Sequence, residues 1–499
     1  MNAATAAWPA LSGARTLRYA ALLATYIQSM NVSLPNAALR FIQAGTSMTD
    51  DQAGWIFTSY LAATAISMPV AGWLAARFGL KQVYQASLLL FVFGLWLATC
   101  AITPEQYMGA RIVQGIAAGI IAPLSMGIAL ETLPAAVRPK FGVTYGAMVL
   151  LGIVTGPAIG GLVVEYHGWH ALSYLSMPLA ALIALVVACC LEKKPAGAAP
   201  AFDFFGYATF TTAVIALQIL LDRGERMEWF ESREICIEAM VSALAFYLFL
   251  AHLFTARTHF LGKHLFRDRN YVLSTIMFFA FGFVLLPTLA LTSPMLDEIL
   301  GYPPILTGYM TIPRGVGLVG AFLLASRIPA SIDNRLVIVV GMLVVIYANS
   351  SMLSYSPLMD WTPVALAGFI QGVGMGILMP AISKMAFSTL DPKFRPEGTG
   401  FFNLSRVYGS TLGIAIVQTY FYNNTQAMHV ALASHLRPSN ATLHSLTAST
   451  PLQGIAHLNE MLTGQAAFIA VVDQFKILML AMVVVLPLVV FLRKPGSAN

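Results

Sequence analysis

The chain has 499 residues, of which 58% are hydrophobic and only 10% are charged. Soluble domains carry about 25% charged residues, so this composition excludes an ordinary water-soluble protein. The net charge of +6 would suit a nucleic-acid-binding protein. That class is also excluded, because the basic residues sit in short connectors between long apolar segments.

The apolar residues form about fourteen segments, each long enough to cross a bilayer as a helix of about 20 residues. In chain order the predicted spans are 15–35, 54–74, 82–100, 106–130, 141–163, 171–191, 205–221, 235–255, 271–293, 305–327, 336–354, 364–387, 399–421 and 473–492. The sequence therefore predicts an all-α polytopic membrane protein.

The basic residues predict how these spans are oriented. If the N-terminus is inside, the inner segments hold eighteen of the 28 basic residues and the outer loops hold five. Lys and Arg are enriched in the cytoplasmic loops of membrane proteins. We therefore predict that both termini are cytoplasmic.

Two connectors stand out between the spans. Residues 192–204 are rich in Pro and Ala and are predicted to be a cytoplasmic linker, whereas residues 422–472 form the only long external loop. The four cysteines lie within or at the ends of apolar spans without metal-ligand spacing. No metal site is predicted.

A run of small residues, GIVTGPAIGG (152–161), interrupts the fifth span. Gly152, Gly156 and Gly160 recur every four residues, so they share one helix face and let a neighbouring helix approach closely. Pro157 removes a backbone donor and favours a kink. The run could also be an ordinary packing face between two helices.

Arg111 lies inside the fourth span, in RIVQGIAAG (111–119), with Gln114 one turn along on the same face. A charge within the membrane is costly and indicates a functional residue by default. The alternative is a buried arginine that backbone carbonyls satisfy for packing alone.

These segments together carry a resemblance to the major facilitator superfamily. GWLAARFGLKQVY (72–84) resembles its loop signature and RIVQGIAAG its fourth-helix signature, while GIVTGPAIGG is similar to the fifth-helix signature of its drug:proton antiporters. LQILLDRGERMEWFES (217–232) and NLSRVYGSTLG (403–413) resemble the fourteen-helix branch of EmrB/QacA-type multidrug exporters.

The resemblance implies a major facilitator fold with two six-helix halves and two extra central helices. The expected domains are an N-terminal half (1–191), a linker with the two extra helices (192–270) and a C-terminal half (271–499). The implied activity is efflux of amphipathic compounds across the inner membrane by alternating access, in exchange for protons. No cofactor is expected, because the proton gradient supplies the energy.

The resemblance also implies site residues. The expected substrate-binding residues are Asn31, Tyr60, Gln114, Gln371, Asn403 and Arg406. The expected conformational motifs comprise Gly72, Gly79, Gly152, Gly156, Pro157, Gly160 and Gly161. The candidates for proton coupling are Arg111, Glu131 and Asp222.

The chain departs from its family at two positions. Asn31 stands where the family normally has an aspartate, and Ala76 stands where an aspartate is common. An amide does not titrate, so a coupled proton must sit elsewhere. The acidic residues closest to the spans are Glu131, Glu165, Asp222, Glu238 and Asp473.

Several alternatives stay open. The chain could export one endogenous metabolite, such as a siderophore or fatty acid, or be an uncoupled transporter-like scaffold. We do not predict an enzyme, because no HExxH or GxSxG motif and no paired intramembrane carboxylates occur. The absence of a GxxxxGK[ST] motif argues against an ATP-driven pump. By resemblance, the long external loop could meet a periplasmic adaptor that works with an outer-membrane channel; it could equally be a solvated loop.

Overall fold

A computed structural model gives the structure of the chain and describes residues 11–131, 133, 138–192, 202–224, 227–255, 264–329, 332–391, 394–436 and 451–493. These residues form helices joined by short connectors, with no β-strand among them. Most of the predicted linker 192–204 lies outside the described residues, as does the central part of the predicted external loop 422–472.

Fourteen long helices follow one another through the described chain. They are α1 Leu11–Ser33, α2 Trp55–Phe78, α3 Leu80–Thr99, α4 Pro104–Glu131, α5 Arg138–His167, α6 Ala171–Cys190, α7 Phe204–Arg223, α8 Arg233–Thr255, α9 Arg269–Pro294, α10 Pro304–Ala325, α11 Asn334–Met352, α12 Trp361–Ala386, α13 Arg395–Ser434 and α14 Pro451–Val485. Each coincides with one predicted span, so the predicted all-α fold is confirmed.

Short helical elements follow the ends of three long helices. A 3₁₀ turn, Leu34–Ala38, and a short helix, Leu39–Thr46, continue α1. A π-helical turn, Met295–Ile299, continues α9, and a 3₁₀ turn, Leu486–Phe491, continues α14.

Twelve of the fourteen long helices are apolar enough to cross a membrane. The other two, α1 and α13, occupy predicted spans but carry more hydroxyl and amide side chains. The structure also differs from the prediction at the external loop: α13 runs on to Ser434 and α14 begins at Pro451. Much of the predicted loop is therefore a continuation of these two helices.

The helices pack as two groups with a pair between them. In the first group α1 packs against α5, and α4 packs between α2 and α3. In the second, α12 packs between α10 and α11, and α9 packs along α13. Helix α5 lies along α10 and α2 contacts α13 across the groups, while α7 and α8 pack together. The exact domain boundaries stay a prediction.

One glycine sets the turn between α2 and α3. Gly79 has a φ of +93°, a conformation that residues with a Cβ rarely adopt, and it lets α3 begin at the very next residue. Gly72, from the same motif, faces open space, with no atom within 4 Å of where a Cβ would be. The part of both residues in conformational change stays a prediction.

Candidate functional site

Arg111 is the centre of a buried polar network in the first helix group, and its side chain is 2% exposed. Its Nε donates to the Ile56 carbonyl oxygen at 3.0 Å. Its Nη1 donates to the Asn31 carbonyl oxygen at 3.0 Å and to Gln114 Oε1 at 2.9 Å. Carbonyl and amide oxygens hold this charge, and no described carboxylate pairs with it.

The carbonyl oxygen of Asn31 depends on Arg111 because of the local sequence. In a regular helix this oxygen would accept from the N–H four residues later, but that residue is Pro35, which has no N–H. Helix α1 accordingly gives way to the 3₁₀ turn at Leu34. The Arg111 guanidinium supplies a donor where the chain has none.

Asn31 and Tyr60 complete this cluster, which we call the Arg111 network (Arg111, Gln114, Asn31 and Tyr60). The Tyr60 ring centroid lies 4.4 Å from the Arg111 guanidinium carbon, and Asn31 Nδ2 donates to Ser176 Oγ at 3.0 Å. The structure thus brings together four residues that the sequence singled out. All four are buried within the helix group, and their contact with substrate stays a prediction.

The second helix group has a comparable buried pair. Gln371 on α12 is fully buried, and its Nε2 donates to Asn349 Oδ1 at 3.1 Å and to Thr288 Oγ1 at 3.2 Å. Arg314 on α10 is 6% exposed and donates from Nη2 to the Leu285 carbonyl oxygen at 3.1 Å. Each helix group therefore buries one arginine, Arg111 or Arg314, together with glutamines in its interior.

Asn403 and Arg406 lie one turn apart on α13. Asn403 Nδ2 donates to the Thr399 carbonyl oxygen of its own helix at 2.9 Å. Arg406 is half-buried, and its Nε is buried with no hydrogen-bond partner among the described residues. Its electrostatic neighbour is Tyr145 of α5, in the other helix group. Arg406 therefore lies where the two groups face each other.

The glycines of α5 form a close-packed seam against the end of α1. A Cβ at Gly152 or Gly156 would come within 2.9 Å of backbone atoms of Met30, and one at Gly160 would overlap the Leu34 carbonyl oxygen. We call these three glycines the glycine seam. The predicted close approach of a neighbouring helix is confirmed, because only hydrogen fits at these positions.

The next glycine of α5 turns to the other helix group. A Cβ on Gly161 would overlap the Pro304 carbonyl oxygen, at the start of α10. On α10, a Cβ on Gly308 would lie 2.9 Å from the Pro157 carbonyl oxygen. Helix α5 is thus in backbone contact with α1 on one side and with α10 on the other.

Asp222 joins the extra helix α7 to the first helix group, and its neighbour Leu221 joins α7 to the second. Its Oδ2 accepts from Thr58 Oγ1 of α2 at 2.8 Å, and its Oδ1 accepts from Gln218 Nε2 at 2.8 Å. Next to it, Thr419 Oγ1 of α13 donates to the Leu221 carbonyl oxygen at 3.1 Å. The structure therefore places Asp222 at the meeting point of α2, α7 and α13, outside the Arg111 network.

The other acidic candidates are dispersed. Glu131 ends α4, and its side chain lies outside what the structure describes. Glu238 lies 3.4 Å from Arg223, and Asp473 accepts from Asn424 Nδ2 at 2.8 Å. Within the described ranges, no three His, Cys, Asp or Glu side chains could together hold a metal ion.

Sequence reasoning missed two charged residues. Arg314 lies within the predicted span 305–327, so the rule that singled out Arg111 would have found it. Asp297 is 6% exposed in the π-helical turn after α9, with Arg40 and Glu165 of the first group as its electrostatic neighbours. It was missed because the predicted span ended at residue 293.

Comparison with known proteins assigns this architecture to a family. The family model of the Major Facilitator Superfamily matches residues 21–414. The multidrug export protein EmrB of Escherichia coli K12 is 24% identical over 96% of this chain and 95% of its own length. The fatty acid resistance protein FarB of Neisseria gonorrhoeae is 27% identical over 98% of both chains.

Solved structures show the same fold. A partially occluded, inward-open xylose transporter XylE from E. coli aligns with a TM-score of 0.61 at 12% identity, covering 98% of this chain and all of that one. The human organic anion transporter MFSD10 aligns with a TM-score of 0.57 at 13% identity, over 94% and 99% of the two chains. The chain is a multi-pass membrane transporter of the Major Facilitator Superfamily, similar in sequence to multidrug exporters of the EmrB type.

Proposed function

We propose that the protein exports amphipathic compounds across the inner membrane in exchange for protons, by alternating access, with both termini in the cytoplasm. The observation that carries this proposal is the double contact of α5. Its glycine seam meets α1 while Gly161 meets Pro304 of α10. The backbone contacts of α5 with α1 and with α10 close one end of the space between the helix groups. An exporter that is open to the cytoplasm needs its opposite end closed in this way.

We propose that Asp222 carries the proton, since Asn31 has no titratable group. Asp222 is bonded to Thr58 of α2, and its neighbour Leu221 is bonded to Thr419 of α13. Protonation of its carboxylate would weaken the bond from Thr58 and so loosen α7 from α2. A single proton would thereby act on a point where both helix groups meet.

The test is substrate-induced proton release in proteoliposomes, with a panel of neutral, cationic and anionic amphiphiles. The wild type is expected to release protons on substrate addition, and Asp222→Asn is expected to abolish the release. Asp473→Asn is the matched control, because its carboxylate also accepts one amide hydrogen bond but joins only α13 and α14. Flux without any proton release in the wild type contradicts antiport; release retained in Asp222→Asn contradicts this proton site.

Export of a fatty acid is the second candidate. The similarity to FarB, a fatty acid resistance protein, extends over 98% of the chain. A dedicated exporter would accept one chemical class in the same panel, whereas a multidrug exporter would accept several.

We also propose that the outer parts of α13 and α14 dock a periplasmic adaptor, which leads to an outer-membrane channel. Helix α13 has 40 residues, about 60 Å at 1.5 Å per residue, against a hydrocarbon core of about 30 Å. His429 Nε2 lies 3.0 Å from Asn459 Oδ1, which holds the projecting helices together. The large apolar side chains of Val430 and Ile455 are 68% and 57% exposed there, as in a protein-binding surface.

This surface can be tested without knowing the adaptor. The double variant Val430→Asp/Ile455→Asp is expected to lose resistance in double-membrane cells while keeping full flux in proteoliposomes. His435→Asp is the control, because it adds a charge at an exposed polar position of the same projection. Undiminished resistance of the double variant in cells would refute adaptor docking at these residues.

A further inference from the structure

Asn36 lies at the closed end of the space between the two helix groups. It belongs to the 3₁₀ turn Leu34–Ala38 that continues α1, and this turn packs against α9 and α10 of the second group. Its neighbour Ala37 is 3.5 Å from where a Cβ on Gly161 would be, and Gly161 itself meets Pro304 of α10. Asn36 is therefore part of the contact between the groups rather than of the interior of either one.

The side-chain amide of Asn36 is only half satisfied. Its Nδ2 donates to the Ser33 carbonyl oxygen at 3.0 Å, whereas its Oδ1 is buried with no hydrogen-bond partner among the described residues. Turning the amide over would place two oxygens against each other, so the bond to Ser33 fixes which atom is unpaired. The residue is 6% exposed, and an unpaired buried acceptor raises the free energy of the state that buries it.

Asn36 lines a narrow gap between the groups, which we call the Asn36 gap. The gap holds about 180 Å³ of empty space but is too narrow for a water molecule. Its other walls are six apolar side chains, from α1 and α2 on one side and from α9 and α13 on the other: Val32, Phe57, Leu61, Leu286, Ala290 and Ile414. A buried water needs room and several polar partners, and this gap provides neither.

The position of Asn36 distinguishes it from other unpaired polar groups. Gln371 Oε1 and Arg111 Nη2 are also buried without partners in the described chain, but each lies among helices of a single group. Separation of the two groups leaves those atoms buried. The same separation opens the Asn36 gap, because its walls come from both groups.

We infer that Asn36 sets how readily the closed end opens: its unpaired amide oxygen destabilises the closed state, and opening relieves this cost by admitting water that donates to the oxygen. The six apolar walls act in the opposite direction, because opening exposes them to water. One amide in an otherwise apolar contact therefore keeps the closed and open states close in free energy. The inference rests on the proposed function only in taking this opening as a step of transport.

The test is hydrogen–deuterium exchange of the full chain in nanodiscs, read by mass spectrometry on peptides around residues 57–61 of α2 and 410–417 of α13. Asn36→Leu keeps a similar side-chain shape without the amide, so exchange of both peptides is expected to slow about tenfold, the effect of one unpaired buried acceptor. Asn36→Ala is expected to slow it less, because it leaves a cavity. A peptide from the buried middle of α3 (84–91) reports global unfolding and should not change.

Moving the amide to the facing wall is the matched control. Leu286 on α9 is 4% exposed and lines the same gap, so Leu286→Asn alone adds a second amide there and is expected to speed exchange. The double variant Asn36→Leu/Leu286→Asn returns the gap to one amide and is expected to exchange as the wild type does. It does not restore the bond to Ser33, so recovery would assign the effect to the amide in the gap rather than to the turn.

Unchanged or faster exchange in Asn36→Leu would overturn the inference, and so would exchange that stays slow in the double variant. If Asn36→Leu does not fold, Leu286→Asn decides alone: unchanged or slower exchange of the two peptides is the contrary result. Gating and export fail separately. The expected exchange without gradient-driven flux in the wild type refutes export and leaves the role of Asn36, whereas proton-coupled flux with exchange that ignores these substitutions refutes that role and leaves export.

Discussion

Gly156→Ala is expected to reduce transport by about tenfold or more and to make the closed end of the protein leaky. The new Cβ would overlap Ser33 Oγ and would lie 2.9 Å from both Leu34 N and Met30 O. Two of these three contacts are backbone atoms, which cannot rotate away. Helices α1 and α5 must therefore separate, at a cost of about 1–3 kcal/mol for overpacking.

The separation is expected to reach the other helix group. Ser33 Oγ donates to the Ile153 carbonyl oxygen at 2.5 Å, so a displaced α1 also loses this bond to α5. Gly161, five residues further along α5, is in backbone contact with Pro304 of α10. A shift of α5 at Gly156 is thereby transmitted to the contact that joins the two groups.

The measurement is transport and passive proton leak in the same proteoliposomes. Gly320→Ala is the control, because no atom lies within 4 Å of its Cβ position on α10; it should behave as the wild type. Adding Ser33→Ala to Gly156→Ala removes the hydroxyl overlap but not the backbone contacts, so it should restore only part of the activity. Normal transport with no leak in Gly156→Ala would show that the seam does not control closure.

The fold was predictable because an apolar segment long enough to cross the membrane must form a helix to satisfy its backbone hydrogen bonds. All fourteen predicted spans coincide with long helices. Hydropathy did not predict the helix beyond residue 421, where α13 continues as a polar helix to Ser434. Hydropathy identifies the apolar segment that lies in the membrane, not the full length of the helix. A predicted span therefore ends where polar residues begin, even if the helical backbone hydrogen bonds continue beyond that point.

The candidate site was predictable only in part. The charge of Arg111 within an apolar span was visible in the sequence, but its partners were not, because they are mainly backbone carbonyls on helices α1 and α2. Asp297 escaped notice because a π-helical turn continues α9 past its apolar segment. Tyr145, the electrostatic neighbour of Arg406, lies 261 positions away from it in the sequence, so only the folded chain brings the two residues near each other.

Arg111→Gln is expected to abolish transport and to lower the free energy of unfolding by about 3 kcal/mol, the loss expected for several hydrogen bonds to a charged group. Removing the charge also removes the free energy cost of burying it, which by itself would raise the free energy of unfolding. The loss is expected to prevail because the Asn31 carbonyl oxygen has no donor from Pro35 and is left unsatisfied, as is Gln114 Oε1. Arg111→Lys is also expected to lose transport, since one ammonium group cannot reproduce the guanidinium hydrogen bonds to Ile56, Asn31 and Gln114.

Arg314→Gln shows whether the hydrogen bonds of Arg111, or only the burial of its charge, determine its contribution to stability. Arg314 is almost as buried as Arg111, at 6% against 2% exposed, but within the described chain it donates a single hydrogen bond, 3.1 Å long, to the Leu285 carbonyl oxygen. Its loss should lower the free energy of unfolding by only about 1 kcal/mol. The measurement is denaturant unfolding in mixed micelles beside flux in proteoliposomes. Equal destabilisation by the two substitutions would mean that burial of the charge, rather than the carbonyl contacts to α1 and α2, sets the contribution of Arg111.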